Sequence, residues 1–389
     1  MNITEMLRDE SARQHHFPVT AERIFLAHAG VTALPRAATD AITEYLAESS
    51  ADAQENKRHA EMVGRARELA ARMLGAQTRE IALIGPTSLG LNLVAQGLPW
   101  EKGDEAVYYP GDYPANVYPW LNLKSRGVAP VALQPPEQGV ITWEVIEQAL
   151  SDRTRLVALA SCNFLSGYRI DIDGIGRRLG ERGILFSVDG IQTVGAFPMS
   201  VEHVDFLSAD SHKWMLGPCG AGIFYVKESR QDLLRPSVLG SWNVVSPNFI
   251  AQDEIRFQPG ARRYESGTLN LPGVVGMAGG LELLLDAGIE AVAERILSWR
   301  ETFLDAVRPM GWRPGLAEAS QEPSARSGII AIAHPRHDPS AIFEKLKEHG
   351  VRLSLRQTAD GTRYLRFSPH FYNPLAELDR VVEILKQGE

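Results

Sequence analysis

The sequence predicts an α/β fold in which a large domain carries a mostly parallel sheet and a smaller α+β domain closes the chain. Three observations carry that expectation. Between residues 80 and 226, short apolar runs alternate with helical stretches, the rhythm of a layered α/β domain. The runs are apolar on both faces, as central strands covered by helices on both sides must be. After about residue 266 the rhythm changes to long helices mixed with strands, which reads as a second domain.

Residues 1–20 form an N-terminal segment expected to pack near the small domain. The large domain is placed at 21–265. Apolar residues at three- and four-residue spacing predict its helices at 36–50 and 57–74. Its strands are IALI at 81–84, EAVYY at 105–109, RLVALAS at 155–161, ILFSVD at 184–189, DFLSAD at 205–210 and GIFYV at 222–226. The small domain, 266–389, opens with helices at 272–287 and 289–309. GIIAIAH (328–334), a helix at 339–349, VRLSLR (351–356), TRYLRFS (362–368) and a last helix at 374–387 complete it.

Composition narrows the function classes. The 389 residues are 44% hydrophobic and 23% charged, and the net charge is −8 without any Lys/Arg block, which argues against nucleic acid as a partner. No apolar run approaches the roughly 20 residues of a membrane helix, and the N-terminus lacks a signal-peptide core. Cys162 and Cys219 are too few for a disulfide framework and lack metal-ligand spacing, so no metal is expected and a reducing cytoplasm is the expected compartment.

The chemistry converges on one strand edge. Asp189 ends the run ILFSVD, at the carboxyl end of a strand, where open α/β sheets bind ligands. LSADSHKWMLGPCGAGIFYV (207–226) also begins at a strand end, so one strand can bring Lys213 to the same edge. A lysine there can condense with the aldehyde of pyridoxal 5'-phosphate (PLP) as a Schiff base and later move protons. PLP works as an electron sink when its ring nitrogen is protonated, and a carboxylate such as Asp189 keeps it so. Gln192 and Asn163 are placed to approach the ring's 3-oxygen. Taken singly, a lysine is usually a solvated charge and a post-strand aspartate a turn residue. Asp-Gly-x-Gln, Ser-His-Lys-Trp and the Gly-Pro-Cys-Gly turn together outweigh that.

GPTSLGLN (85–92) adds an anion site. Thr87 and Ser88 stand at a predicted helix N-terminus, where free N–H groups and the dipole favour phosphate. Gly85 and Gly90 have P-loop spacing, but Leu91 replaces the lysine and Asn92 the Ser/Thr, which disfavours a nucleotide kinase. A phosphate monoester fits better than a triphosphate.

With these motifs the chain resembles the class V aminotransferase family of fold-type I PLP enzymes, a branch that includes cysteine desulfurases and isopenicillin N epimerase. The resemblance runs from FLAHAGVTALP (25–35) to the C-terminal strand, and it implies that the large domain's mostly parallel sheet is seven-stranded. It implies Lys213 for the Schiff base, Asp189 against the ring nitrogen, Gln192 near the 3-oxygen, and His212, Thr87 and Ser88 at the phosphate. RRYESGTLN (262–270) implies that Thr268 reaches the phosphate of the neighbouring subunit, hence a homodimer with shared sites. Arg366 matches the family's substrate-carboxylate binder, a task that suits a bidentate guanidinium. Tyr113 takes the place of the histidine that many relatives stack over the cofactor, and His28 is expected near the substrate.

The departures bear on the reaction. The stretch SLRQTADGTRYLRF (354–367) has no cysteine where desulfurases carry their nucleophile. Asp210 stands where a phosphate ligand is common, and a carboxylate would repel phosphate, so it is expected to point elsewhere. The expectation is a PLP-dependent aminotransferase acting on a small amino acid. A carbon–sulfur lyase without a cysteine nucleophile, an epimerase and a catalytically dead scaffold are the alternatives. Trp242, Arg356 and His370 are further candidates for lining the substrate pocket.

Overall fold

The computed structural model describes residues 2–55, 57–315 and 322–386. Its centre is a seven-stranded sheet in the order Ile81–Ile84, Gly222–Val226, Phe206–Asp210, Leu185–Asp189, Thr154–Ala160, Glu105–Tyr108, Ala129–Ala132. All neighbours are parallel except Gly222–Val226, which runs antiparallel to both of its partners. Six strands fall where apolar runs predict them. Both faces of those runs are buried, which explains their lack of alternation. The seventh, Ala129–Ala132, is announced by no such run. It sits half exposed at the sheet edge and carries Pro130, a position where neither core burial nor a second ladder constrains the sequence.

Helix Thr87–Gly97 leaves directly from the end of Ile81–Ile84 and packs on Phe206–Asp210. Contact is so close that a Cβ on Gly90 would lie 2.3 Å from Ser208 Oγ. Gly90 is therefore required by helix–strand approach and not by a nucleotide.

The C-terminal part has a four-stranded antiparallel sheet, Ser354–Gln357, Arg363–Phe367, Ile330–Ala333 and Arg313–Pro314. Helices Leu271–Ala287 and Ile289–Val307 lead into it, and Leu375–Lys386 ends the described chain, so residue 387 of the predicted last helix lies outside the described residues. The N-terminal stretch joins this region. Ile24–Phe25 pairs in parallel with Val351–Arg352, and Ala27 bridges to Ser368. Arg13, on helix Glu10–His16, meets Glu377 at 2.7 Å, with both side chains buried. These pairings bring Ala29 and Gly30 to the gap between the two sheets. Among the described residues no helix is long and apolar enough to cross a membrane.

Candidate active site

A cavity of about 450 Å³ opens at the carboxyl ends of Leu185–Asp189 and Phe206–Asp210. Lys213, Asp189, Gln192, His212, Thr87, Ser88, Tyr113 and Arg366 all line it. Residues far apart in sequence are thus brought to one space by the strand order.

Lys213 is held by its successors. Trp214, Met215 and Leu216 are fully buried, so the turn after the strand is anchored in the core. Leu216 adopts a left-handed backbone (φ 57°), a conformation that costs a non-glycine residue about 1–3 kcal/mol, and its N–H donates to the Lys213 carbonyl at 3.2 Å. Gly195 packs beneath this turn, where a Cβ would lie 2.5 Å from the Trp214 carbonyl oxygen. Lys213 is 8% exposed. Burial pushes its pKa down to about 8, and Asp189 opposes that shift. Its Nζ lies 5.5 Å from the centre of the Tyr113 ring.

Burial pushes Asp189 up to about 6, while the Ile191 N–H, donating to Oδ1 at 3.1 Å, and Lys213 pull it down. A second carboxylate stands behind it. Asp112 is pushed up to about 7 by burial, with the charge of Asp189 adding to the effect. It accepts from the Ala160 N–H at 3.1 Å, Asn116 Nδ2 at 3.1 Å and Asn163 Nδ2 at 3.4 Å. Sequence reasoning passed over Asp112. Its only signal is an acid directly before Tyr113 in a segment that returns to the strand edge.

At the opposite side of the cavity, helix Thr87–Gly97 begins without a side-chain cap. Thr87 Oγ1 accepts from the Asp210 N–H at 2.9 Å, which leaves its hydroxyl proton to donate. The first amides of the helix lack intrahelical acceptors and favour an anion. Asp210 turns from the cavity. Its Oδ2 accepts from the Gly220 N–H at 3.2 Å and lies 3.0 Å from His212 Nδ1.

Arg366 is 1% exposed. Nη1 donates to the Phe164 carbonyl at 2.7 Å and Nη2 to Ser354 Oγ at 3.3 Å, while Nε has no partner. Burial pushes its pKa down to about 9, with the nearby Arg356 adding to that shift.

Three expected residues are not brought to the cavity. Asn163 spends its side chain behind the cavity: Oδ1 accepts from the Leu165 and Ser166 N–H groups of its own loop, and Nδ2 reaches Gly111 and Asp112 in the loop before Tyr113. His28 is fully buried behind the wall, with Nδ1 2.8 Å from the Ser368 carbonyl and Nε2 2.8 Å from Tyr372 Oη. Its place in the chain is right, since Ala29 and Gly30 line the cavity, but its side chain points into the core. Thr268 is exposed and does not line this chain's cavity; the neighbouring Asn270 ties its loop to the Gly220 carbonyl at 3.2 Å. Of the further candidates, only Arg356 lines it. Trp242 faces a separate cavity with Arg67 and Arg262, and His370 is buried against the Trp214 carbonyl. Neither cysteine lines it. Cys162 is buried, which pushes its thiol up to about 11, and Cys219 is exposed in the turn after Lys213. Among the described residues, no cluster of three or more His, Cys, Asp or Glu side chains could hold a metal ion.

A buried amine facing a buried carboxylate, with an uncapped helix N-terminus across the same cavity, matches the aldehyde, ring nitrogen and phosphate of PLP in donor chemistry and in charge. The donor set therefore fits a PLP enzyme.

The comparisons carry the same reading further. A model of the aminotransferase class-V family matches residues 24–381. The chain is similar to a probable cysteine desulfurase of Methanothermobacter thermautotrophicus, with 28% identity covering 98% of each. Its fold is similar to the apo structure of a cysteine desulfurase from Thermococcus onnurineus NA1, with TM-score 0.89, 21% identity and 97% of each chain covered. It is also similar to a lysine-to-alanine variant of C-DES with glycine covalently linked to the PLP cofactor, with TM-score 0.86, 21% identity, and 97% of this chain and 99% of that one covered. The chain belongs to the aminotransferase class-V family, a family of PLP-dependent enzymes.

Proposed function

We propose that this enzyme is an aminotransferase for a small amino acid, with Lys213 as the amine that holds PLP. The observation that carries the reading is the Lys213 amine, buried in one cavity with the Asp189 carboxylate and with an Arg366 guanidinium that has no acid partner among the described residues. Bound PLP supplies an electron sink for charge that develops at the substrate's alpha carbon. Asp189 would hold a proton on the ring nitrogen. Thr87, Ser88 and His212 would hold the phosphate, joined by Thr268 of the partner subunit. Gln192 stays near the ring; its Oε1 accepts from Trp214 Nε1 at 2.9 Å and its Nε2 donates to the Ala29 carbonyl at 3.2 Å, which fixes the amide's plane. Tyr113, which lines the same cavity, would stack on the ring.

Arg366 receives the substrate carboxylate, and this orients the bond that must break. With a pKa near 8, the Lys213 amine can both take and return a proton close to neutrality. Amino exchange needs one such group, since a proton leaves one carbon and is delivered to another. Sulfur transfer to a protein thiol would need a cysteine in the cavity, and neither Cys162 nor Cys219 lines it.

A homodimer is supported by a run of exposed apolar side chains, Val238, Leu239, Phe249, Ile250 and Ile255, which precedes Thr268 in the chain. The test of the reaction is incubation of PLP-loaded enzyme with amino acids and 2-oxo acids, with products read by mass spectrometry. New amino acid derived from the 2-oxo acid is the expected result. Release of pyruvate, ammonia or sulfide without amino exchange would overturn the reading in favour of elimination.

A further inference from the structure

The substrate wall of the cavity carries more positive charge than one carboxylate can answer. Ser354–Gln357 pairs antiparallel with Arg363–Phe367, in a register that sets Ser354 opposite Arg366 and Arg356 opposite Tyr364. Ser354 and Arg356 are two residues apart, so they share a sheet face with Arg366. Arg356 and Arg366 are then diagonal neighbours, within reach of each other's long side chains. Both line the cavity.

Neither guanidinium has a carboxylate partner among the described residues. Arg356 donates only to the carbonyl of its neighbour Leu355, at 3.2 Å, and Arg366 only to Phe164 and Ser354. Two like charges held side by side in a partly desolvated wall repel, and each raises the other's need for an anion. Burial lowers both pKa values, and the presence of Arg356 lowers that of Arg366 further. The one carboxylate in the lining, Asp189, lies at the other side against Lys213. Tyr113 also stands near both arginines, but it brings a hydroxyl and not a carboxylate to that wall.

We infer that Arg356 forms a second acid-binding subsite, so that the substrate is a short α-amino dicarboxylate with its alpha carboxylate on Arg366 and its side-chain acid on Arg356. This inference rests on the aminotransferase reading for the alpha carboxylate and adds the side chain. It goes beyond that reading in naming Arg356 as the residue that selects the substrate.

The test uses PLP-loaded enzyme and two inert probes, succinate and butyrate, with binding measured by calorimetry. Succinate carries two acids and butyrate one, and neither has an amine to react. The wild type is expected to bind succinate at least tenfold tighter than butyrate, and in Arg356→Gln that ratio falls to near one. In turnover, wild type is expected to prefer aspartate or glutamate over asparagine or glutamine, and Arg356→Gln to lose the preference. Equal binding of succinate and butyrate by wild type would overturn the inference with no variant needed. A ratio that survives Arg356→Gln would overturn it as well. Succinate selectivity without any amino exchange would sink the transamination reading and leave the second subsite standing.

Discussion

The two ends of the cavity are built on opposite principles. At the cofactor end most polar side chains come from the strand termini of one sheet and already have protein partners: Asp189 with Ile191, Gln192 with Ala29 and Trp214, Thr87 with Asp210, His212 beside Asp210. At the substrate end Arg356 and Arg366 come from a different sheet, and their positive charges have no acid partner. The first end is pre-organised for a resident group, with its orientation fixed in advance. The second stores uncompensated charge until an anion arrives. The uncompensated charge of the second end is therefore expected to oppose stability until an anion binds.

Removing the amine at the fixed end has the largest expected effect. Lys213→Ala is expected to lower turnover by at least about 10³-fold, since on the proposed reading it removes both the covalent anchor and the proton carrier. The visible absorbance of the lysine-bound cofactor should disappear with it. Single-turnover kinetics and a spectrum of the purified variant check both. Normal turnover in this variant would break the comparison at its root.

At the charged end the expected effect is smaller and has two signs. Arg366→Gln is expected to raise KM for an α-amino acid by an amount corresponding to about 2–4 kcal/mol, the loss of a buried bidentate contact. The same change removes a buried cation with no acid partner, so the substrate-free protein should melt at the same or a higher temperature. A loss of thermal stability together with unchanged KM would show that Arg366 is a structural residue.

Asp112 tests the fixed end more gently. Its pKa rises from 3.8 to about 7 on folding. Between those pH values the folded chain keeps a proton that the unfolded chain has released. The unfolded state therefore binds fewer protons, and stability falls as pH rises through this window, by roughly 4 kcal/mol at most. Asparagine does not titrate. Asp112→Asn should flatten this slope between about pH 4 and 7, although Asp189 retains a slope of its own. Denaturant midpoints measured across the window check it, and an unaltered slope would mean that Asp112 ionises normally.

The same contrast decides what could be read from the sequence. Lys213, Asp189, Gln192 and the 87–88 loop are legible because strand ends and turns are local features, and a parallel sheet delivers all its carboxyl ends to one edge. His28 misleads for a related reason: its neighbours Ala29 and Gly30 do reach the cavity, but only three-dimensional packing shows that the ring turns back to Ser368 and Tyr372. Asn163 likewise lies at the right strand end and spends its amide on its own loop and on the 111–112 loop. Arg356 was equally compatible with a surface residue, since its approach to Arg366 depends on a hairpin register that residue types alone do not specify. The edge strand Ala129–Ala132 escaped because an exposed edge places few demands on its residues.

The smallest expected effect is on the cysteines, and it tests the proposed reading against the desulfuration that the names of several relatives denote. A nucleophilic thiol must be ionisable and within reach of the reacting atoms. Cys162 meets neither condition: it is fully buried, its thiol is pushed up to about 11, and its sulfur lies 3.7 Å from the Asn163 carbonyl oxygen. Cys219 is exposed but lies in the turn beyond Lys213, outside the cavity lining. Alanine at 162 and serine at 219 should therefore leave kcat/KM for amino exchange within about twofold, with a stability loss near 1 kcal/mol from the small void at 162. The double variant assayed for amino exchange and for sulfide release checks this. Loss of both activities would place a thiol in the chemistry and return the chain to the desulfurase mechanism, because nothing else on the substrate wall could accept sulfur.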